Sequence, residues 1–420
     1  MHLKVIVIGA GWAGVAASYE AKKLGAEVIL IEKNDMILGT GLVGGIMRNN
    51  GRFTALEELK YMGASEFVNL IDNTSIHKNI DFPGHKHANL YDVTKIENVI
   101  KNKLLDMGIN LLIKERIVKV NMDNNTITSV KSDKGNVYCA DVFIDTTGSA
   151  GPMNNCVKYG KGCAMCILRC PTFGPRVSIT KLCGVKEMIG MQNNGNLGSM
   201  SGSCKILKET LSKELRKILS ENGKLIIPLD NENIEDHLNL KACQQYALEE
   251  YKNNLILLDT GCVKLMTPYY TLEKIRTIKG FENARYVDPY SGGIGNSMRF
   301  FSIAPHDNTL KVKNIDNLFC AGEKLFLVGH TEAIVTGFLA GYNAIKKIKN
   351  ESLLEISRKT CIGEAIAFSN EMINQENGLK NKYTLSGSIL FDRIKSLNLY
   401  TINIKKIKDR IENLKLTNLF

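Results

Sequence analysis

Apolar positions open the chain as a short unbroken run, residues 5–8, closed at once by Gly9. A run of that length with a turn residue behind it reads as a buried strand. Helix-spaced apolar residues occupy 15–24 and stop at Gly25, and a second apolar run, 28–31, delivers Glu32. Strand, helix and strand in this order predict a parallel sheet. Four glycines between Gly39 and Gly45 predict a loop whose backbone lies close to a ligand. Residues 53–72 and 91–107 read as helices, the second capped by Asp92 or Thr94, with a polar loop at 77–87 between them. Short strands at 110–113 and 117–120 precede a hairpin, 126–132 with 137–139, turning at Lys134-Gly135-Asn136. An apolar strand then runs from 141 into the small-residue turn Thr146-Thr147-Gly148.

Residues 150–205 lack helical periodicity and are dense in glycine and cysteine. Regular patterns return with a helix at 207–222, a strand at 225–227, at least one helix within 234–253 and a strand at 255–258. A strand beginning at Leu318 leads through a glycine turn and loop to a helix at 333–348, whose Ala333, Gly337, Ala340, Gly341 and Ala344 form a small face. From Ser352 the pattern is helical and polar-basic. The fold class expected is therefore α/β. A dinucleotide-binding domain at 1–154 and 286–350 is interrupted by an inserted α+β substrate domain at 155–285, and a helical basic tail at 351–420 follows it.

The first thirty residues carry the clearest chemistry. Gly9, Gly11 and Gly14 complete G-x-G-x-x-G directly after a strand and at the mouth of a helix, with Glu32 about twenty residues on. Gly9 permits the tight turn, Gly11 lets the backbone approach a pyrophosphate, and Gly14 lets helix and strand pack closely. The intervening Ala10, Trp12 and Ala13 place backbone N–H groups at the helix start, where anions bind. Glu32 suits a ribose hydroxyl, and Lys33, Gly39, Thr40, Gly41 and Val118 are the expected neighbours of the same nucleotide.

Composition adds bounds. The chain has 420 residues, 44% hydrophobic and 23% charged, and no apolar run long enough to span a membrane. It enters its first strand without a leader pattern, so a cytoplasmic location is expected. The net charge of +11 includes a surplus beyond Lys346, where 14 basic residues face 8 acidic ones. A basic surface suits RNA, and it equally suits a lysine-rich chain whose charges only face solvent. A homo-oligomer is compatible with this pattern.

Eleven cysteines in such a chain do not suggest a disulfide framework. Cys163, Cys166 and Cys170 stand as C-x2-C-x3-C-P, the tail of a ferredoxin-type run, with Cys156 seven residues upstream and Cys183 and Cys204 beyond. Three readings suit them: an iron–sulfur or zinc site on Cys156, Cys163, Cys166 and Cys170; redox catalysis by a thiolate or dithiol; or packing alone. Arg176, in the turn after Phe173-Gly174-Pro175, suits a carboxylate or phosphate. His330 is the preferred acid–base group, with His85, His87 and His306 as the others and Arg299 as a further cavity residue.

These segments together resemble the two-dinucleotide-binding-fold flavoproteins of glutathione-reductase type. Thr146, Thr147 and Gly148 match their second fingerprint, and 317–323 with Gly329, Thr331, Glu332, Ala333 and Gly341 matches their C-terminal strand–loop–helix. The pattern A-G-E-x5-G-H-T-E-A-x3-G-x2-A-G-x-N-A from Ala321 resembles the glucose-inhibited division protein A family. That family includes the flavoprotein of tRNA wobble-uridine carboxymethylaminomethylation and the folate-dependent tRNA uridine-54 methyltransferase. The resemblance covers roughly 3–48, 110–150 and 315–348, whereas 150–300 does not match either RNA enzyme well. It implies FAD bound in part by Gly322, Glu323, Gly329, Thr331, Glu332 and Ala333, NAD(P)H as a candidate reductant, and RNA as a candidate substrate of an oxidoreductase. An electron-transfer or small-molecule reaction, and a non-catalytic FAD-containing binding protein, are the alternatives.

Overall fold

The structure is a computed structural model. It describes residues 3–148, 172–191, 195–197, 199–200, 204–236, 238, 247–266, 271–287, 298–299 and 301–420. Of Ser199, Met200, Cys204, Met298 and Arg299 only the backbone is described.

The first strand, β1 (Lys4–Ile8), is the centre of a five-stranded parallel sheet. It pairs on one side with β2 (Glu27–Ile31), which carries a third strand, β3 (Asn110–Leu112). On the other side it pairs with β4 (Val142–Asp145), which carries Leu318–Cys320. Val5, Ile6, Val7 and Leu30 are fully buried, as continuous apolar runs in a parallel sheet require.

Helix α1 (Trp12–Lys23) follows β1 and starts three residues earlier than the apolar spacing predicts. Its first turn holds Trp12 and Ala13, which belong to the main core and also line a cleft. The long helix α2 (His330–Ile348) crosses α1 with backbones nearly touching. A Cβ on Gly337 would sit 2.4 Å from the Ala13 carbonyl oxygen, and one on Gly341 2.5 Å from that of Ala17.

The predicted loop at 77–87 is a strand pair instead. Ser75–Phe82 runs antiparallel to His85–Tyr91, turning at Pro83-Gly84, where Gly84 has φ +73°. Three register shifts interrupt the ladder and hide the alternation that would have marked it. The single helix expected at 53–72 is Gly51–Leu59 and Ser65–Asn73, separated by a turn in which Gly63 takes φ +112°. The second helix begins at Ile96 because Tyr91 ends a strand and Asp92 accepts the Thr94 N–H in a turn.

The second unit has its own antiparallel sheet: Cys204–Ile206, Cys262–Leu265, Asn254–Thr260 and Lys224–Pro228, in that order. Its core is built on Ile206, Leu219, Leu257, Val263 and Phe281, while Ile46, Leu90, Tyr251 and Leu258 bridge it to the first unit. In the range 234–253 the described helix is one turn, Glu250–Asn253. After 351, Cys361–Met372, Ser388–Ser396 and Ile404–Asn413 are helices, and Tyr383, Leu385 and Ile411 belong to the main core. No helix among the described residues is long and apolar enough to cross a membrane.

Candidate functional site: a cleft between two helix starts

A long cleft opens along the carboxyl ends of the parallel strands, where ligands of open α/β sheets bind. Counted with its open, solvent-filled mouth it encloses about 1540 Å³. Its lining includes one group around Glu32, Asn34 and Glu115, where the Glu115 N–H donates to the Glu32 carbonyl at 3.0 Å, and another around Val43, Gly44, Lys264 and His330, where Lys264 donates to the Val43 carbonyl and the His330 ring lies against Gly44.

Gly9, Gly11, Trp12 and Ala13 form the floor. Gly9 holds φ +102°, and a Cβ there would lie 2.5 Å from the Thr146 carbonyl oxygen. A Cβ on Gly14 would lie 1.8 Å from the Gly9 carbonyl oxygen, so this glycine serves packing under the turn. A Cβ on Gly11 would meet nothing within 4 Å and would occupy the cleft. Gly11 is the α1 N-cap without a side-chain cap, and no acidic residue stands in the first turn. The helix's leading N–H groups and positive dipole end are thus left for an anion.

The opposite wall shares the missing side-chain cap but differs in carrying an acid, Glu332, in the first turn. Gly329, the α2 N-cap, also lacks a side-chain cap, and Gly329, His330 and Ala333 line the cleft. The ring of His330 lies against Gly44, where a Cβ would be 1.7 Å from its Cε1. Its Nδ1 is 3.2 Å from the Tyr91 hydroxyl, which donates to the Gly41 carbonyl at 2.5 Å. The hydroxyl has one proton, given to Gly41, so His330 Nδ1 is the donor in this contact.

Most residues expected at the nucleotide are in the cleft: Lys33, Gly39, Thr40, Thr146, Thr147, Gly148, Gly322 and Glu323 beside those above. Six expected contacts are not in its lining. Ala10 donates its N–H to Glu32 Oε2 at 2.8 Å, thereby fixing the acid, whose Oε1 accepts from Asn34 N at 2.9 Å. Gly14 lies beneath Gly9, and Gly41 accepts from Tyr91. Val118 is 38% exposed on the outer face, and its neighbour Ile117 lines the cleft instead, since strand side chains alternate. Thr331 is buried against Met47 Sδ, 3.7 Å away, and Glu332 is buried in an ion pair with Arg52.

Arg176 and His330 both reach the cleft. Cys156, Cys163, Cys166 and Cys170 lie outside the described residues, as does the side chain of Cys204. Cys183 is described, and burial, with the Asp145 charge second, pushes its thiol up to about 12. Among the described residues no group of His, Cys, Asp and Glu is arranged to hold a metal. His85 is buried with Nδ1 2.8 Å from Asn49 Nδ2, and burial, with Arg52 second, lowers it to about 3. His306 is fully buried and bonded to the Ala304 carbonyl, and burial lowers it to about 4. His87 Nδ1 is 3.1 Å from Asn79 Oδ1.

The cleft also contains residues that no local pattern announces: Arg52, Arg116 and Lys264. Beneath it Lys324, fully buried, donates to Glu187 at 2.6 Å and to Ser178 at 2.7 Å and stands 3.7 Å from Asp145. That cluster ties the segment around Ser178 to the end of β4.

A parallel sheet, a glycine turn under one uncapped helix and a second uncapped helix across the cleft define a dinucleotide-binding α/β protein. The model of the family described as glucose inhibited division protein A matches residues 4–271 and 260–352, and the chain belongs to this family. Among curated proteins it is similar to the tRNA uridine 5-carboxymethylaminomethyl modification enzyme MnmG of Lactococcus lactis subsp. lactis, 24% identical over 408 residues, covering 84% of this chain and 64% of that one. It is also similar to the enzyme of the same name from Campylobacter hominis, 23% identical over 444 residues, covering 85% of this chain and 66% of that one. The chain thus spans slightly less than two thirds of the length of these relatives. Among solved structures, Aquifex aeolicus GidA in its form II crystal superposes with a TM-score of 0.63 at 17% identity, covering 99% of this chain and 75% of that one. That likeness bears on the fold.

Proposed function

We propose that this chain is an FAD-dependent oxidoreductase that modifies a uridine in RNA, with tRNA as the first substrate class. One observation carries the FAD reading: two helix starts without side-chain caps face one long cleft whose glycine floor is open at Gly11 and whose lining includes Glu32. The tRNA part rests on membership of the family and on the printed function of its curated relatives.

In this reading the first turn of α1 binds the pyrophosphate, and the remaining acceptor sites of Glu32 take the ribose hydroxyls. Thr147 and Glu323 also line the cleft. FAD, when bound, supplies hydride and electron transfer, with NAD(P)H as its reductant. His330 stands beside Gly44, with its Nδ1 donating to the Tyr91 hydroxyl. Arg176 meets an anionic group at the cleft mouth. The unit at 155–285 closes over the cleft, and Cys163, Cys166 and Cys170 carry thiol chemistry against the substrate or the cofactor.

The test is spectroscopic and then chemical. The purified protein should carry stoichiometric FAD, bleach anaerobically with NAD(P)H, and alter one uridine when given tRNA and a one-carbon donor, read by nucleoside mass spectrometry. A protein that takes up no FAD contradicts the reading at its base. Iron and sulfide, or zinc, in stoichiometric amount would move the cysteines from thiol chemistry to metal ligation. FAD without change in any RNA would point to a small-molecule substrate.

A further inference from the structure

Lys264 stands on the strand Cys262–Leu265 of the second unit, far in sequence from Gly9 and Gly11 of the cleft floor. Its side chain is nevertheless part of the cleft wall, beside Val43, Gly44, Ile46 and His330. Its residue exposure is 7%, and Nζ donates to the Val43 carbonyl at 3.0 Å. In the register of the sheet its partner is Lys205, whose Nζ donates to the adjacent carbonyl, Leu42, also at 3.0 Å. Lys205 does not line the cleft. Two neighbouring lysines therefore grip consecutive carbonyls of one glycine-rich segment, and of the two Lys264 lines the cleft.

Lys264 belongs to the lining group of Val43, Gly44 and His330, distinct from the group around Glu32 and Glu115. Glu32 and the α1 start hold the nucleotide half, so the rest of an extended dinucleotide runs toward Val43, Gly44 and His330. A buried ammonium is costly to desolvate, and it interacts strongly with any charge that develops beside it in a low dielectric. The charge that develops on a flavin is negative: two electrons and one proton convert the oxidised ring into an anion, and a second proton neutralises it.

We infer that Lys264 is a positioning residue of the second unit that holds a fixed positive charge against the flavin ring, raising its reduction potential and keeping the reduced ring anionic. The inference rests on the FAD reading above. A charge beside the ring is a recognised way for a protein to tune a flavin. Here the charge comes from the unit that also covers the substrate, and it is anchored through the loop that lies against His330. Reduction of the cofactor is thereby coupled to the seating of the second unit on the first.

The experiment compares the FAD-loaded full-length protein with Lys264→Met, Lys264→Arg and Lys205→Met, each titrated against reference dyes across pH. Lys264→Met should lower the two-electron midpoint potential by an amount equal to at least a tenfold change in the reduced-to-oxidised ratio, about 30 mV. Its potential should also fall more steeply with pH, by about 60 mV per pH unit where the wild type falls by about 30, because a second proton now accompanies the two electrons. Lys264→Arg should keep the wild-type values, and Lys205→Met should as well. A Lys264→Met protein with bound FAD and an unchanged potential and slope overturns the inference. An equal drop in Lys205→Met also overturns it, since that would assign the effect to loop position and not to charge. Should Lys264→Met fail to fold, Lys264→Gln keeps a donor for the Val43 carbonyl without the charge and gives the same two outcomes. Wild-type protein that binds no FAD would defeat the preceding reading, and that result is distinct from both.

Discussion

Arg52 and Glu332 form an ion pair across 280 residues of sequence, with Nε 3.0 Å from Oε2 and the carboxylate fully buried. Glu332 also accepts the Thr384 hydroxyl at 2.9 Å and the Leu385 N–H at 2.7 Å, and Arg52 donates to Asn49 and to the Val328 carbonyl. One pair thus joins the helix Gly51–Leu59, the start of α2 and the segment near 385 at the edge of the cleft. Removing one charge leaves the other buried and unpaired, which costs about 3–5 kcal/mol. Glu332→Ala should lower the free energy of unfolding by that amount in urea titrations. Because Arg52 lines the cleft, the variant should also bind FAD more weakly. Unfolding parameters equal to the wild type would refute the claim.

The glycines of the turn make a paired prediction. Gly14→Ala forces a methyl onto the Gly9 carbonyl and should destabilise the fold by about 1–3 kcal/mol, in the range of overpacked sites. Gly11→Ala meets no protein atom and should leave the melting temperature unchanged, while FAD affinity falls at least about tenfold because the methyl stands where the ligand passes. Calorimetry and fluorescence titration on both variants separate the effects. The idea fails if Gly11→Ala binds FAD like the wild type.

Glu20 supplies a pH test. It is fully buried on α1, its carboxylate oxygens have no hydrogen-bond partner, and burial raises its pKa to about 7, with Lys23 opposing. The folded state holds the proton more tightly than the unfolded chain, so the stability it confers is present below about 4.5 and is lost as pH rises to about 7. The shift corresponds to roughly 3 kcal/mol. His85 and His306, lowered to about 3 and about 4 by burial, pull the other way on the acid side, so the informative quantity is the difference between two curves. Glu20→Gln should leave the acid-side stability nearly unchanged and gain about 3 kcal/mol over the wild type at pH 8. Parallel curves in urea unfolding between pH 4 and 8 would show that Glu20 does not titrate there.

Thiol labelling should sort the described cysteines by burial. Cys139 is exposed, whereas Cys320 and Cys361 are buried and their thiols are raised well above the usual range by desolvation. At pH 7.5 iodoacetamide should modify Cys139 within minutes, leaving Cys183, Cys320 and Cys361 intact until denaturant is added. Peptide mapping at timed quenches reads this directly. Early alkylation of Cys320 would mean that the sheet opens at its Leu318–Cys320 edge.

What was legible in the sequence is what local spacing encodes. Gly9, Gly11, Gly14 and Glu32 announce the turn, the helix and the acid because all four act within one strand–helix–strand unit. The Thr126–Ser132 hairpin was legible for the same reason. The His85–Tyr91 strand was not, since its pairing slips three times and its outward residues are polar. Val118 and Ile117 show how little separates the two cases: a one-residue shift moves a strand residue from the cleft to solvent. Arg52, Arg116 and Lys264 enter the cleft through tertiary packing, so no motif near them carries the information. Glu332 was expected at the cofactor by analogy of position, and it instead holds Arg52, which is itself in the cleft wall.

The contact of Gly337 with Ala13 and of Gly341 with Ala17 has a metric consequence. Both uncapped helix starts belong to these two helices, and at Gly337 and Gly341 the helices meet backbone on backbone, with Tyr19 and Phe338 packed beside the crossing. The separation of the two starts is therefore a rigid ruler built into the sheet's cover. A ligand that grips one start reaches the other only if it has the right length, so the cleft discriminates by span before any side chain reads chemistry.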